Sequence, residues 1–276
     1  EFISGKSNYK IKKNVLEKLS NHKIDIILIT HTIFQKKVTY NKLGLIIIDE
    51  QHKFGVNQRK KLSDKGGNNC DVLLMTATPI PRTLTMSIYG DMDISIIREK
   101  PKSRKAIKTY SKLENNIDDV IKLVKKQIKL GNQVFWVCPL IEVSTKLDHS
   151  SAVKKFDYLK KIFPNEVSLL HGKTDIDEKE NILNNFLKNK FKILVSTTII
   201  EVGIDFPNAN IIIIENANKF GLSQLHQLRG RVGRGDKDSL CILMFKSNLS
   251  ENAKKRINIL KKSNDGFFIS EEDMKI

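Results

Sequence analysis

Leu45-Ile-Ile-Ile-Asp-Glu-Gln-His52 is a run of apolar residues followed without a break by two carboxylates and a histidine. A run so short and so uniformly apolar suits a strand buried on both faces of a parallel sheet, where no polar alternation is needed. Comparable runs recur at 24–29, 72–75, 134–137, 167–170, 193–195, 211–214 and 240–245. Helical patterns lie between them. Apolar residues at 117, 120, 121, 124, 128 and 130 form one stripe. Asp175 followed by Glu178 predicts a capping box ahead of Ile182, Leu183, Phe186 and Leu187. Alternating strands and helices predict an α/β doubly wound fold.

At 276 residues the chain has room for two such units, at roughly 150 residues per domain. The charged, proline-containing stretch 98–106 interrupts both periodicities and predicts the boundary. The expected division is 1–103, 104–247 and a further element opening at 248–276, beginning with a basic helix. With 40% hydrophobic and 29% charged residues, the composition excludes a mainly disordered or collagen-like chain. No apolar run approaches the roughly 20 residues of a membrane-spanning helix, and the first residues do not read as a secretion signal. The three cysteines include no CxxC pair, which predicts neither a zinc site nor a disulfide framework and favours a reduced, cytoplasmic setting. A net charge of +17 invites a polyanionic partner. Only eight of the 48 basic residues are arginine, however, and that skew also fits the coding habit of an AT-rich genome.

Three constellations carry candidate chemistry. In open parallel sheets, ligands gather at the carboxyl ends of strands, which puts Asp49 and Glu50 at a rim. There an aspartate can serve Mg²⁺ and a neighbouring glutamate can activate water for phosphoryl transfer; taken alone, Asp-Glu is explained better by a solvated strand end. Met75-Thr-Ala-Thr-Pro-Ile-Pro-Arg82 carries another strand into two hydroxyls and a proline suited to a first helical turn, or forms only a capping loop. Gln224-Leu-His-Gln-Leu-Arg-Gly-Arg-Val-Gly-Arg234 is more restrictive. Arginine offers a permanently charged fork of donors to phosphate, and glycine permits close backbone approach.

Taken in order, Asp49-Glu50-Gln51-His52, Thr76-Ala77-Thr78, the segment 196–205 and the segment 227–234 resemble motifs II, III, V and VI of superfamily 2 helicases. The longer strings, with Tyr89-Gly-Asp-Met-Asp93, Glu201-Val-Gly-Ile-Asp-Phe-Pro-Asn-Ala209 and the tail around Ser263 to Phe267, resemble the RecG-type bacterial branched-DNA helicases. The related transcription-repair coupling factors share part of this pattern, whereas Asp-Glu-Gln-His and Glu-Val-Gly with Pro-Asn-Ala favour the RecG type.

The resemblance implies two RecA-like lobes, the first incomplete, followed by the start of a helical C-terminal coupling element, with ATP bound between the lobes. It implies motifs II and III in 1–103 and motifs IV to VI in 104–247. It assigns Asp49 to Mg²⁺, with Glu50 nearby as activator of water, and Gln51 and His52 to linking nucleotide state with the opposing lobe. Arg231 and Arg234 become γ-phosphate sensors. Gly203, Asp205 and Gln227 join them as nucleotide-binding residues, and Thr76, Thr78, His171, Gly172, Thr197 and Thr198 serve DNA binding or coupling. The implied activity is ATP-driven helicase or translocase action on branched DNA in repair and recombination, with ATP and Mg²⁺ as cofactors. A monomer acting on duplex DNA in a bacterial or bacterially derived cytoplasm is expected, with no membrane partner.

The sequence contains no G-x-x-x-x-G-K-[ST] loop, and Gly5-Lys6-Ser7 imitates only its end. By the same resemblance the chain corresponds to the C-terminal part of a helicase without its wedge domain, either as a fragment or as a shortened gene, and is expected to be inactive alone. Two rival readings stay open: a noncatalytic nucleic-acid-binding remnant and a coupling-factor-type translocase.

Overall fold

A computed structural model describes residues 1–4, 7–30, 40, 42–50, 70–76, 93–97, 99, 101, 104–139, 145–197 and 205–276. The chain separates into two compact units, residues 1–77 and 78–276.

In the first unit, strand β1 (Phe2–Ile3) pairs in parallel with β2 (Leu28–Ile29). Helix α1 (Tyr9–Ser20) runs between them, opened by the Asn8 side chain accepting from Lys10 N, and buries Val15 and Leu19, which lie one turn apart. Of the apolar run 24–29, only the last two described residues are strand. Strands β3 (Leu45–Ile48) and β4 (Asp71–Leu74) pair in parallel, with Leu45 opposite Asp71 and Ile48 opposite Leu74. Ile46 and Ile48 are buried against Val72 and Leu74, while Leu45 and Ile47 are exposed. The uniform apolar run of β3 predicts burial on both faces; the strand instead alternates, buried on one face only.

The second unit holds a six-stranded, all-parallel sheet in the order β5-β10-β9-β6-β8-β7. Its strands are β5 (Lys108–Leu113), β6 (Gln133–Val137), β7 (Val167–Leu170), β8 (Ile193–Ser196), β9 (Ala209–Ile214) and β10 (Leu240–Phe245). Here the continuous apolar runs mean what they predict: every residue of β6, β8 and β9 is buried. Alternate residues serve opposite faces, as strand geometry requires. Val134, Trp136, Ile211 and Ile213 face helices α2 (Ile117–Lys129) and α3 (Thr145–Ile162). Phe135, Val137, Ile212 and Ile214 face α4 (Ile176–Leu187), α5 (Leu222–Arg229), α6 (Glu251–Lys262) and α7 (Gly266–Met274). On that side Phe135 meets Phe186 and Phe206 at centroid distances of 5.3 and 5.6 Å. Each such fully buried side chain contributes about 1.5–3 kcal/mol relative to exposure.

Three local features differ from, or add to, what the sequence predicts. Strand β5, Lys-Thr-Tyr-Ser-Lys-Leu, has no continuous apolar run; it is an edge strand in which no residue is fully buried, so polar side chains are tolerated along it. Asp175 is the N-cap of α4, but its side chain makes no capping hydrogen bond, so the predicted box does not form. Residues beyond 248 build α6 and α7, whose Ile257, Leu260 and Ile269 enter the core of the second unit.

Candidate functional site

Strand β3 delivers Asp49 and Glu50 to its carboxyl end, as the run of isoleucines predicts. Asp49 is exposed, and its Oδ1 accepts the backbone N–H of Glu50 at 2.8 Å. Glu50 stands at φ +51°, in the left-handed region. The other described non-glycine residues there are one histidine and three asparagines, and asparagine tolerates this conformation far better than glutamate does. Strained residues concentrate at functional sites, which makes Glu50 a candidate. Met75 N bonds to Ile48 O at 2.8 Å, which brings Thr76 alongside this acidic corner. Gln51, His52 and Thr78 lie outside the described residues.

In the second unit, His171 and Gly172 follow β7, and Thr197 follows the neighbouring β8; Thr197 N reaches Leu170 O at 3.4 Å, so the two positions share one end of the sheet. The Thr174 hydroxyl accepts from His171 N at 3.1 Å, and His171 Nδ1 accepts from Lys173 N at 3.2 Å. Nδ1 also lies 3.3 Å from the Thr174 hydroxyl, so the turn holds the ring by that edge. Thr198 and Gly203 lie outside the described residues.

The arginine segment is built differently. Gln224 Oε1 accepts Gly221 N at 3.0 Å, starting α5, whose Leu222, Leu225 and Leu228 anchor it in the core. Gln227 is half-buried on this helix. Arg229 ends it and is 2% exposed. Its Nη1 donates to Leu260 O at 2.7 Å and Ser263 O at 2.8 Å, both at the C-terminal end of α6, and its Nη2 donates to His226 Nδ1 at 2.9 Å. Those carbonyls carry the negative end of the helix dipole. Burial alone lowers the pKa of this guanidinium, and these acceptors compensate. At the other end of α5, Asp273 of α7 accepts from Ser223 Oγ at 2.6 Å and Ser223 N at 3.2 Å. Both helix ends are thus held by residues far away in sequence.

Beyond Arg229 the chain turns sharply. Gly233 has φ +76°, and a Cβ there would approach Ile107 Cγ1 to 3.1 Å; one at Gly235 would approach Pro207 O to 3.2 Å. Arg231 is half-buried and Arg234 exposed. Arg234 Nε lies 3.9 Å from Asp205 Oδ1, a weak contact at a partly solvated position. This turn packs on residues leading into β5, β9 and β10, the opposite end of the sheet from His171 and Thr197. Among the described residues, those predicted in this unit therefore form two groups, one at each end.

Sequence reasoning missed Arg229 as an anchor, Asp273, and Glu215 after β9. Glu215 Oε1 receives Trp136 Nε1 at 2.9 Å and Lys155 Nζ at 2.7 Å. Cys138 Sγ lies 3.8 Å from Oε2, and burial together with that carboxylate pushes its thiol pKa up. Only the abrupt Glu after four isoleucines at 211–214 signalled this group.

Residues 2–87 match the family described as DEAD/DEAH box helicase, and residues 115–236 the helicase conserved C-terminal domain. The ATP-dependent DNA helicase RecG of Bacillus subtilis is 49% identical over 97% of this chain, which spans 39% of that protein. The structure of RecG bound to a three-way DNA junction superposes with a TM-score of 0.76 at 39% identity, over 99% of this chain and 35% of that one. The helicase Lhr of Mycobacterium smegmatis, bound to ssDNA and AMP-PNP, gives a TM-score of 0.64 at 15% identity over 96% of this chain and 37% of its own, a likeness of fold alone.

Proposed function

Since the chain belongs to the RecG-type helicases of superfamily 2, we propose that it supplies motor elements of an ATP-driven enzyme that moves on branched duplex DNA. Residues 1–103 form part of a first lobe, 104–247 a second, and 248–276 open a coupling element. The observation that carries this reading is the turn after α5, where one arginine is buried as an anchor and two are presented on glycine-built backbone.

Asp49 and Glu50 suit a hard cation. Mg²⁺ takes oxygen ligands and binds through one or two carboxylates plus waters and phosphates, and Asp49 offers an exposed carboxylate at a strand end. When bound, the ion neutralises charge on the transferring phosphoryl group. Glu50 orients and deprotonates the attacking water, and its left-handed backbone aims that side chain. Gln51 and His52 relay the nucleotide state, and Gly203, Asp205 and Gln227 contribute to nucleotide binding. Arg231 and Arg234 stabilise the phosphoryl charge, since permanently charged forks act where charge develops. Arg234 exchanges its loose contact with Asp205 for phosphate.

Thr76 and Thr78 couple hydrolysis to DNA grip, and His171, Gly172, Thr197 and Thr198 touch the DNA backbone. Branched DNA is the expected substrate because the RecG of known structure was bound to a three-way junction.

Arg234→Ala in the full-length protein tests this. ATP turnover should fall by about 10³-fold or more while affinity for forked DNA is kept. Equal loss of both would make Arg234 a DNA or structural residue and overturn its assignment.

A further inference from the structure

Residues 104–108 enter β5 along the same stretch that carries the arginines. Arg104 Nη2 donates to Gly230 O at 3.3 Å. Lys105 Nζ pairs with Asp238 Oδ1 at 2.9 Å, and Lys108 Nζ lies 3.8 Å from the other carboxylate oxygen. Lys108 N donates to Ser239 O at 3.0 Å. Between these, Ile107 is buried directly beneath Gly233, close enough that a single methyl at 233 would crowd it. The Lys105 ammonium, with Lys108 behind it, holds the Asp238 carboxyl below its ordinary range.

Four residues of this five-residue stretch, Arg104, Lys105, Ile107 and Lys108, therefore touch the arginine turn at its start, its middle and its far end. Arg229 secures only the helix before the turn. Backbone at 231–238 has no regular secondary structure of its own, so neighbouring contacts define its course. We propose that residues 104–108 are a latch that fixes the turn bearing Arg231 and Arg234, with Ile107 as its floor and Arg104 and Lys105 as its clasps. These three are positioning residues: they act on phosphate chemistry only through the arginines. A displacement of Arg104 reaches Gly230 by one hydrogen bond, and one of Ile107 reaches Gly233 through their close packing, so a shift of 104–108 becomes a shift of the arginine turn. The consequence for catalysis rests on the phosphate-sensing role assigned to Arg231 and Arg234; the mechanical linkage does not.

Two measurements separate these layers. In the 276-residue chain, hydrogen exchange is followed at Arg231 and Val232, whose amides bond to Leu228 O and Arg229 O. Lys105→Glu and Asp238→Lys each place like charges together and should speed exchange there about threefold to tenfold, while Ile213 at the sheet centre is unchanged. Combining the two restores an opposite-charge pair and should return exchange close to the original rate. Single variants that exchange like the parent, or a double variant that stays fast, overturn the latch. In the full-length protein the single variants should lower kcat for ATP severalfold without weakening DNA binding, and the double variant should recover it. If the unsubstituted full-length protein hydrolyses no ATP, the functional reading falls and the exchange result still decides the latch.

Discussion

Trp136 donates its indole N–H to Glu215 Oε1 at 2.9 Å, and the same oxygen receives Lys155 Nζ at 2.7 Å. The ammonium also lies 5.5 Å from the Trp136 ring centroid and 5.2 Å from that of Tyr158. One carboxylate thus ties the ends of β6 and β9 to α3. Both partners are largely buried, with side-chain exposures of 17% and 12%, so removing one strands the other. Glu215→Gln should destabilise the chain by about 1–3 kcal/mol, below the 3–5 of a fully buried pair because Lys155 retains some access to water. Adding Lys155→Met should recover part of that loss. Denaturant unfolding of the three proteins measures it; a single variant as stable as the parent would show that the pair contributes nothing.

Arg229 makes a sharper case. Its charge is satisfied by Leu260 O, Ser263 O and His226 Nδ1, and charge-assisted bonds contribute about 1.5–3 kcal/mol each, though not additively. Arg229→Met keeps the volume but orphans two carbonyls at the end of α6. It should cost about 2–4 kcal/mol in denaturant unfolding. Arg231→Met, half-buried on the turn, should cost less than about 1 kcal/mol. Equal losses would contradict the division into one structural and two presented arginines.

That division marks the limit of what sequence alone conveys. The apolar runs at 211–214 and 240–245 foretell parallel strands because burial on both faces needs no polar alternation, and the sheet bears them out. An apolar run also foretells the carboxyl-terminal place of Asp49 and Glu50, although β3 itself is buried on one face only. Strand β5 escapes it because at the sheet edge none of its residues is fully buried, and Lys108, Thr109 and Ser111 can stay polar. Arg229, Arg231 and Arg234 look equivalent in the string. They part only because α6 returns its last carbonyls to Arg229, a contact between residues more than thirty positions apart. No periodicity encodes such a meeting.

Glycine substitutions test how the turn is built. Gly131 and Gly233 both have positive φ, at 81° and 76°. A Cβ at 131 meets nothing within 4 Å, whereas one at 233 meets Ile107 and Ser239. Gly131→Ala should therefore cost only the left-handed backbone penalty, about 1–2 kcal/mol. Gly233→Ala adds overpacking and should cost about 1–3 kcal/mol more. Comparing their unfolding midpoints checks this; matching midpoints would mean that the contact beneath Gly233 yields freely.

The thiols give a pH signature. Burial pushes Cys241 up to about 12 from an ordinary 9.0, with Arg229 pulling slightly the other way. Above pH 9 the unfolded chain releases this proton while the folded chain keeps it, so the folded state binds more protons and stability falls as pH rises. The contribution is complete below pH 9 and lost progressively toward pH 12. Cys241→Ala should flatten this part of the stability–pH curve. Native-state thiol labelling at pH 8 should reach Cys70, which is partly exposed, and leave Cys138 and Cys241 to react only on unfolding. Fast labelling of all three in the folded chain would refute the burial.

ATP turnover by the 276 residues alone is the most direct test of the motor reading. Phosphoryl transfer in P-loop enzymes needs successive backbone N–H groups and a lysine around the β and γ phosphates, and this sequence has no G-x-x-x-x-G-K-[ST]. None of the residues assigned above to Mg²⁺ or phosphate supplies that cradle. The isolated chain should therefore hydrolyse ATP no faster than background, with or without forked DNA. Its DNA affinity should fall steeply with salt, because lysine and arginine contacts release counterions, with a slope near −0.9 per phosphate neutralised. DNA-stimulated phosphate release that Glu50→Gln abolishes would overturn the first expectation and require a phosphate cradle among these 276 residues. Salt-insensitive DNA binding would overturn the second, leaving the charge of +17 as solvated surface.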